Sequence, residues 1–330
     1  MKYKILVISL LVLSFLLPVT VNADENVLYD KIESEEVLSL GHYDVATKTE
    51  TTEEISLSEL KRRNESAKQR LGISSNNVLC GFNPVFDTSV LPGDDNVSTP
   101  RTTPGIYPQT TVNVNNYPYT AVMFLLLGRD KDGDGNIESW STGSGFLVDS
   151  DVMVTAAHCF IGKGADGINR FIDECRIFPR YASSSISYNA TGYYHPASWS
   201  YSTVYMSSNN VEHDWLVATL AAPIGNQHGY FAVRDWDASI EGVTATTGGY
   251  PAESPSKRYY QHKSTGPLRS YSTKRISFIM DVEGGNSGGP VYVSGNQVIG
   301  IITGAGNEAN WALRIFEALY EVIEGRCLAN

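Results

Sequence analysis

Positive charge is in short supply in this sequence. Its 25 Lys and Arg stand against 36 Asp and Glu, a formal charge of −11 over 330 residues. A chain with that balance lacks the basic face that broad nucleic-acid or anionic-membrane binding requires. Cysteine is scarce too: four residues are too few for a disulfide-stapled miniprotein, and no CxxC pair offers zinc spacing. Charged residues make up only 18% against 42% hydrophobic. That excludes a disordered chain and predicts a sizeable core, in one large domain or two ordinary ones. Internal repeats and low-complexity tracts are absent.

Long apolar runs are equally rare. The one that stands out, Ile5 to Leu17, covers 13 residues broken only by Ser9 and Ser14. Lys2 and Lys4 precede it, Pro18 ends it, and Val21-Asn22-Ala23 offers the small residues that a signal peptidase accepts. Thirteen residues fall short of a helix spanning about 30 Å of hydrocarbon. Residues 1–23 therefore read as a signal peptide rather than a membrane anchor. Secretion is expected, and with it an oxidising surrounding in which cysteines can pair.

Residues 24–88 differ in texture from the rest of the chain. They hold many Glu, Ser and Thr, the basic cluster Lys61-Arg62-Arg63, few aromatics, and weak helical patterning around Ile55–Leu71. They read as a prosegment. After a turn-rich entry with Pro92-Gly93, Pro100, Pro104-Gly105 and Pro108 come many short apolar runs separated by Gly, Asn, Asp and Ser. Among them are Ala121–Leu127, Val152–Ala156, Trp215–Leu220, Ile276–Met280 and Val298–Ile302. Runs of this length, rich in Val and Ile, predict an all-β sandwich or barrel. One helix is expected at about 316–325, with Leu319, Val322 and Ile323 on its apolar side.

Three local sequences carry chemistry. In Val154-Thr155-Ala156-Ala157-His158-Cys159 a β-branched strand runs into small residues and then an imidazole, which they leave free to reach a partner and a substrate. In His213-Asp214-Trp215-Leu216-Val217 an acid opens an apolar strand, where a buried carboxylate can accept the histidine Nδ1–H and fix its tautomer. In Gly284-Gly285-Asn286-Ser287-Gly288-Gly289-Pro290 flanking glycines allow a sharp turn. That turn lets the amides of Gly285 and Ser287 converge on a developing oxyanion. Each has a bland alternative: a structural histidine, a turn aspartate, a plain loop. Together, in the order His, Asp, Ser, they resemble the chymotrypsin-fold serine proteases.

Finer features resemble the bacterial glutamyl endopeptidase-like group. They are Asn115-Asn116-Tyr117-Pro118-Tyr119, Ala222-Pro223-Ile224-Gly225, Gly248-Gly249-Tyr250-Pro251 and Asn310-Trp311-Ala312-Leu313-Arg314-Ile315. The resemblance covers about 89–325. It implies a protease domain over 89–330, with two six-stranded antiparallel barrels at about 110–222 and 228–315 and a C-terminal helix. It also implies a preproprotein and an endopeptidase in which His158 is general base and acid, Asp214 orients it, and Ser287 forms an acyl-enzyme. The expected partners are polypeptide substrates and, before activation, its own prosegment; no organic cofactor is required and a monomer is expected. The rival is a catalytically silent protease-fold adhesin or binding protein.

The sequence also departs from that group. A histidine that contacts the substrate's Glu is replaced by Ile302, followed by Thr303, and a pocket threonine by Val282; this argues against strict Glu specificity. Asp281 stands six residues before Ser287, where trypsin-like enzymes keep the acid that pairs with Arg or Lys, although acids there also occur in the glutamyl group without that preference. The digestive enzymes place an Asp just before the nucleophile to pair with a newly cut N-terminal amine. Here that residue is Asn286, so removal of the prosegment, expected near Ser89, is not expected to act through that ion pair.

Cys159 and Cys175 bracket a 15-residue loop after His158, where a disulfide would contribute about 3 kcal/mol. That leaves Cys80 to pair with Cys327, or to be lost with the prosegment. Finally, Asp130, Asp132, Asp134, Asn136 and Glu138 follow the first nine positions of an EF-hand loop, with Gly135 at the sixth and Ser141 rather than Glu at the twelfth. The alternatives are a calcium site and a polar hairpin loop.

Overall fold

Strands dominate, and they are short because turn-forming residues interrupt the apolar runs every few positions. A computed structural model describes residues 35–73 and 107–330, apart from 165, 189–190, 237–238, 271, 307–308 and 330. The expected signal peptide, Cys80 and the cleavage point near Ser89 lie outside the described residues. In chain order the elements are β1 (Val37–Asp44), β2 (Thr49–Ser56), α1 (Leu57–Leu71), β3 (Thr110–Thr111), β4 (Val122–Arg129), β5 (Ser139–Leu147) and β6 (Val152–Thr155). Then come α2 (Ala157–Phe160), β7 (Ile161–Lys163), β8 (Asn169–Phe171), β9 (Glu174–Pro179), β10 (Pro196–Ser202), α3 (Thr203–Ser208), β11 (Leu216–Leu220) and α4 (Gly225–His228). The chain continues through β12 (Ala232–Val233), β13 (Thr244–Gly249), β14 (His262–Ser270), β15 (Arg275–Phe278), β16 (Pro290–Val293), β17 (Gln297–Gly304), β18 (Asn310–Arg314) and α5 (Glu317–Cys327).

Two large sheets carry these strands. The first has the order β2-β1-β10-β11-β6-β5-β4-β9. Its far strand curls back, so that Ile177 on β9 exchanges two 2.9 Å hydrogen bonds with Tyr194, just ahead of β10. The second is a ring, β13-β14-β15-β18-β17-β16, closed by the β16–β13 and β17–β18 pairings. This is the chymotrypsin-like two-barrel architecture that the sequence implies, with α5 as the terminal helix. Met123, Leu125, Phe146, Val154 and Val217 fill one core, and Leu268, Ile276, Phe278, Val291 and Ile299 the other. Among the described residues no helix is long and apolar enough to cross a membrane.

Residues 107–112 lie differently from expectation. They precede the first barrel in sequence, yet β3 pairs with β14 of the second barrel, Thr111 opposite His262. The segment expected to be a prosegment is also built into the fold. β1 pairs along the outer side of β10, from Leu40↔Ser202 to Asp44↔Ser198. Gly41 makes this possible, since a Cβ there would collide with the Tyr201 ring. Tyr43 stacks on Trp199 at 4.6 Å, and Leu38, Leu40, Ile55 and Leu60 join the first core. Helix α1 starts where Ser56 Oγ accepts the Glu59 amide at 3.2 Å and stops at Gly72, φ +68°. It lies against α5, where Lys68 and Glu324 form a buried ion pair at 2.9 Å and Asn64 Nδ2 donates to the Glu321 carbonyl at 2.8 Å.

Candidate active site

β6 ends at Thr155, and α2 begins at once with Ala157, bringing His158 to the rim of the first barrel. Ala156 and Ala157 are wholly buried; larger side chains would push the imidazole off this rim. Asp214 sits at the turn into β11, which pairs with β6 through Leu216↔Thr155. That register carries Asp214 beneath His158. The His158 ring donates from Nδ1 to Asp214 Oδ2 at 2.7 Å, and the His158 amide donates to Asp214 Oδ1 at 2.9 Å. One carboxylate therefore fixes both the ring and its backbone. The Asp214 side chain is 4% exposed and the imidazole 31%. Burial opposes the charged imidazolium, but the Asp214 charge and hydrogen bond outweigh it, so the His158 pKa is raised.

The Ser287 loop, the expected nucleophile loop, approaches from the second barrel and docks on the first. The Ser144 amide of β5 donates to the Ser287 carbonyl at 2.8 Å, and Ser144 Oγ donates to the Gly285 carbonyl at 2.8 Å while accepting the Tyr250 amide at 2.9 Å. Gly288, φ +83°, lies where a Cβ would collide with the Ser144 carbonyl and Thr155 Oγ1, and Gly285, φ +97°, where one would collide with the Tyr250 carbonyl. Both glycines are thus required for conformation and for closeness. The amides of Asn286, Gly288 and Gly289 donate to Glu283, Ile302 and Asn286 carbonyls. Those of Gly284, Gly285 and Ser287 have no hydrogen-bond partner among the described residues. A loop with three such amides at and before a serine can bind negative charge on an oxygen.

Of the expected pocket residues, Val282 and Ile302 share one buried cluster of the second barrel, and Asp281 has a partner that sequence reading missed. Val282 and Ile302 are buried, 6% and 1% exposed, and Thr303 follows on β17. Asp281 is not a free acid: Lys257 Nζ lies 2.9 Å from Asp281 Oδ2 and 3.1 Å from Glu283 Oε1. Glu283 Oε2 also accepts the Ser254 amide at 2.7 Å. Burial opposes the Lys257 charge, but its two carboxylates prevail and its pKa is raised.

The cysteines depart from expectation. Cys159 and Cys175 are buried free thiols, and Cys327 is also free. The Cys159 side chain points to the Ser287 carbonyl, 3.6 Å away, rather than bonding with Cys175 on β9. Burial pushes the Cys159 thiol up to about 12 and the Cys175 thiol well above its usual range, which keeps both inert. The 80–327 pairing involves a residue outside those described.

The acidic loop joins β4 to β5, as expected for a hairpin connection. Carboxylate oxygens of Asp130, Asp132, Asp134 and Glu138 all lie within 4.8 Å of one another. Asn136 turns its Nδ2 to Asp134 Oδ2 at 2.9 Å; its amide, with that side chain, lowers the Asp134 pKa. Four hard oxygen donors in that space suit calcium. The remaining histidines serve structure: His213 Nδ1 is 3.0 Å from Ser202 Oγ, His42 Nδ1 2.8 Å from Ser200 Oγ, and His195 Nδ1 3.0 Å from the Cys175 carbonyl. Burial lowers the pKa of both His228 and His262 to about 4.

Two barrels with a His–Asp pair on one and a glycine-framed serine on the other define the chymotrypsin-like class. Comparison with known proteins adds to this: residues 143–301 match the model of the trypsin-like peptidase domain family. Glutamyl endopeptidase of Bacillus licheniformis is 29% identical over 185 residues, 54% of this chain and 51% of that protein. An extracellular metalloprotease of Bacillus subtilis is 24% identical over 220 residues, 64% of this chain and 65% of that protein. The chain thus spans between half and two thirds of these curated relatives. Among solved structures, a Glu endopeptidase in complex with MPD superposes with a TM-score of 0.55 at 20% identity, covering 66% of this chain and 96% of that one. Protease Anisep from Arthrobacter nicotinovorans gives 0.52 at 17%, covering 67% and 100%. These likenesses concern the fold.

Proposed function

We propose that the protein is an extracellular serine endopeptidase made as a preproprotein, with His158, Asp214 and Ser287 as its triad. The observation that carries this reading is the double hydrogen bond from His158 to Asp214 on the rim against which the nucleophile loop docks. In the reaction, Ser287 Oγ attacks the scissile carbonyl and gives its proton to His158 Nε2. Asp214 stabilises the imidazolium without taking the proton. The amides of Gly285 and Ser287 receive the oxyanion. Collapse expels the amine, protonated by His158, and leaves an acyl-enzyme; water, deprotonated by the same imidazole, releases the acid. Secretion is supported by the apolar run in residues 1–23 and by the extracellular relative.

The internal pairing of Asp281 by Lys257, with apolar Val282 and Ile302 nearby, favours cleavage after uncharged residues over Arg or Lys. The acidic loop at 130–138 is read as a calcium site that stabilises the β4–β5 hairpin. Treatment of the secreted protein with a serine-directed fluorophosphonate is expected to label wild type and not Ser287→Ala. Correctly folded wild type that resists labelling would leave the binding-protein alternative. Peptide-library profiling on the same preparation would overturn the specificity reading if Arg or Lys dominated before the cleaved bond.

A further inference from the structure

Asn286 is the residue on which the nucleophile loop turns. It is 1% exposed. Its amide donates to the Glu283 carbonyl at 3.0 Å, and its own carbonyl accepts from Gly289 at 2.9 Å. Its side-chain Oδ1 accepts two further bonds, from the Glu283 amide at 3.1 Å and from Gln109 Nε2 at 2.9 Å. The amide assignments follow from chemistry. A backbone N–H can only donate, so the Asn286 atom facing Glu283 must be the oxygen, and Gln109 must then present its NH2. Gln109 Oε1 is left buried without a partner among the described residues. An orphaned buried acceptor is destabilising, so the arrangement is held against a local cost.

Gln109 is rigidly presented. The Tyr107 carbonyl accepts from the Asp281 amide at 2.8 Å and from Ser264 Oγ at 2.7 Å, and the Val112 amide donates to the Gln261 carbonyl at 3.1 Å. Between these anchors β3 pairs with β14. Residues 107–112 therefore form a strap on the second barrel that, among the described residues, meets the nucleophile loop through the Gln109–Asn286 bond.

Resting on the serine-peptidase reading above, we propose that Gln109 is a positioning residue for catalysis: an uncharged latch that orients the amides of Gly285 and Ser287 through Asn286. Asn286 Oδ1 closes the Glu283–Asn286 turn by accepting the Glu283 amide. Losing its anchor would loosen that turn, which carries the Gly285 amide and leads directly into the Ser287 amide, and Gly285 inside it offers little resistance of its own. A carboxylate at position 286 would demand a cation; an amide is satisfied by a neutral donor from within the chain. The latch therefore does not depend on an amine created by cleavage.

The test measures kcat and KM on a peptide substrate for the full secreted chain as wild type, Gln109→Leu, Asn286→Ala and the double variant, with thermal melts to confirm folding. Gln109→Leu is expected to lower kcat about 100-fold, the cost of a misplaced reacting group, with KM within about threefold. The double variant is expected to be no worse than the poorer single variant, since both cut one connection. The isosteric Gln109→Glu guards against misfolding of the leucine variant. Its carboxylate repels Asn286 Oδ1 and its protonated form can donate, so its kcat relative to wild type should rise as pH falls. The ionisable groups around Asn286, including Tyr250, Glu253, Lys257, His262, Asp281, Glu283 and the His158–Asp214 pair, are present in both proteins, so the ratio isolates position 109. A folded Gln109→Leu with kcat within about twofold of wild type, or losses that multiply in the double variant, would overturn the latch alone. Absence of turnover in wild type would sink the peptidase reading and the latch with it.

Discussion

At the scale of single residues, the His158–Asp214 pair makes a signed prediction. On the proposed mechanism catalysis needs neutral His158, and the folded pKa is raised above the ordinary imidazole value by Asp214. Activity should therefore climb with pH through a limb displaced upward, and fall as His158 protonates below it. Asp214→Asn removes the charge that raises the pKa and the acceptor that fixes the tautomer. The limb in kcat/KM should move to lower pH while kcat falls by about four decades, as in the well-studied triads. A pH–rate profile with an unmoved limb would show that Asp214 does not set it. These residues are legible in the sequence because their signals are local: small residues before the histidine, an acid opening an apolar strand, glycines around the serine. Ser144, Lys257 and Gln109 are not. Each acts across a sheet or between barrels, on partners 24 to 177 positions distant, and none sits in a pattern that periodicity or spacing can reveal.

At the scale of elements, the β4–β5 connection gives the next test. Four carboxylates within 4.8 Å repel one another unless a cation lies among them, so calcium should raise the melting temperature and a chelator lower it. Asp132→Asn with Asp134→Asn should lose the calcium response. Identical melts with calcium and chelator would identify a polar hairpin loop instead. The legibility of strands depends on their surroundings. β4, β6 and β11 are apolar in sequence and buried in the structure, so the sequence shows them. β10, Pro-Ala-Ser-Trp-Ser-Tyr-Ser, is hidden, because its serines are polar; yet Ser200 and Ser202 are 1% and 2% exposed. They are buried by β1, which lies alongside, and Ser200 finds partners in His42 and Arg326. β2 is hidden for the opposite reason: Thr49–Glu54 faces solvent and carries no apolar alternation. The helix α1 is visible only as weak patterning because its buried face includes Asn64 and Lys68, polar residues that α5 satisfies.

At the scale of the whole molecule, residues 35–73 and the two barrels form one compact unit. Four apolar side chains, Leu38, Leu40, Ile55 and Leu60, each contribute about 1.5–3 kcal/mol on full burial. The β1–β10 ladder and the buried Lys68–Glu324 pair would have to break with them, and a buried Glu324 deprived of its lysine would cost about 3–5 kcal/mol. Cutting the chain between residues 74 and 106 should therefore not release the N-terminal piece. After limited proteolysis there, the fragment holding 35–73 should co-elute with the two-barrel fragment on native gel filtration and separate only in denaturant. Independent elution of a still-folded two-barrel fragment would show the attachment to be weak. If the two co-elute, residues 35–73 would be cut from the chain as a prosegment is and yet stay bound to the two barrels.

The seat of β1 beside β10 has a final consequence. Were Val37–Asp44 lost, β10 would present its unpaired backbone donors and acceptors, together with Trp199 and Tyr201, along an open seam. Such a border recruits other strands indiscriminately. An old or over-digested sample should then lose its solubility before the His158–Asp214 pair is damaged, its molecules stitched to one another through the vacated lane.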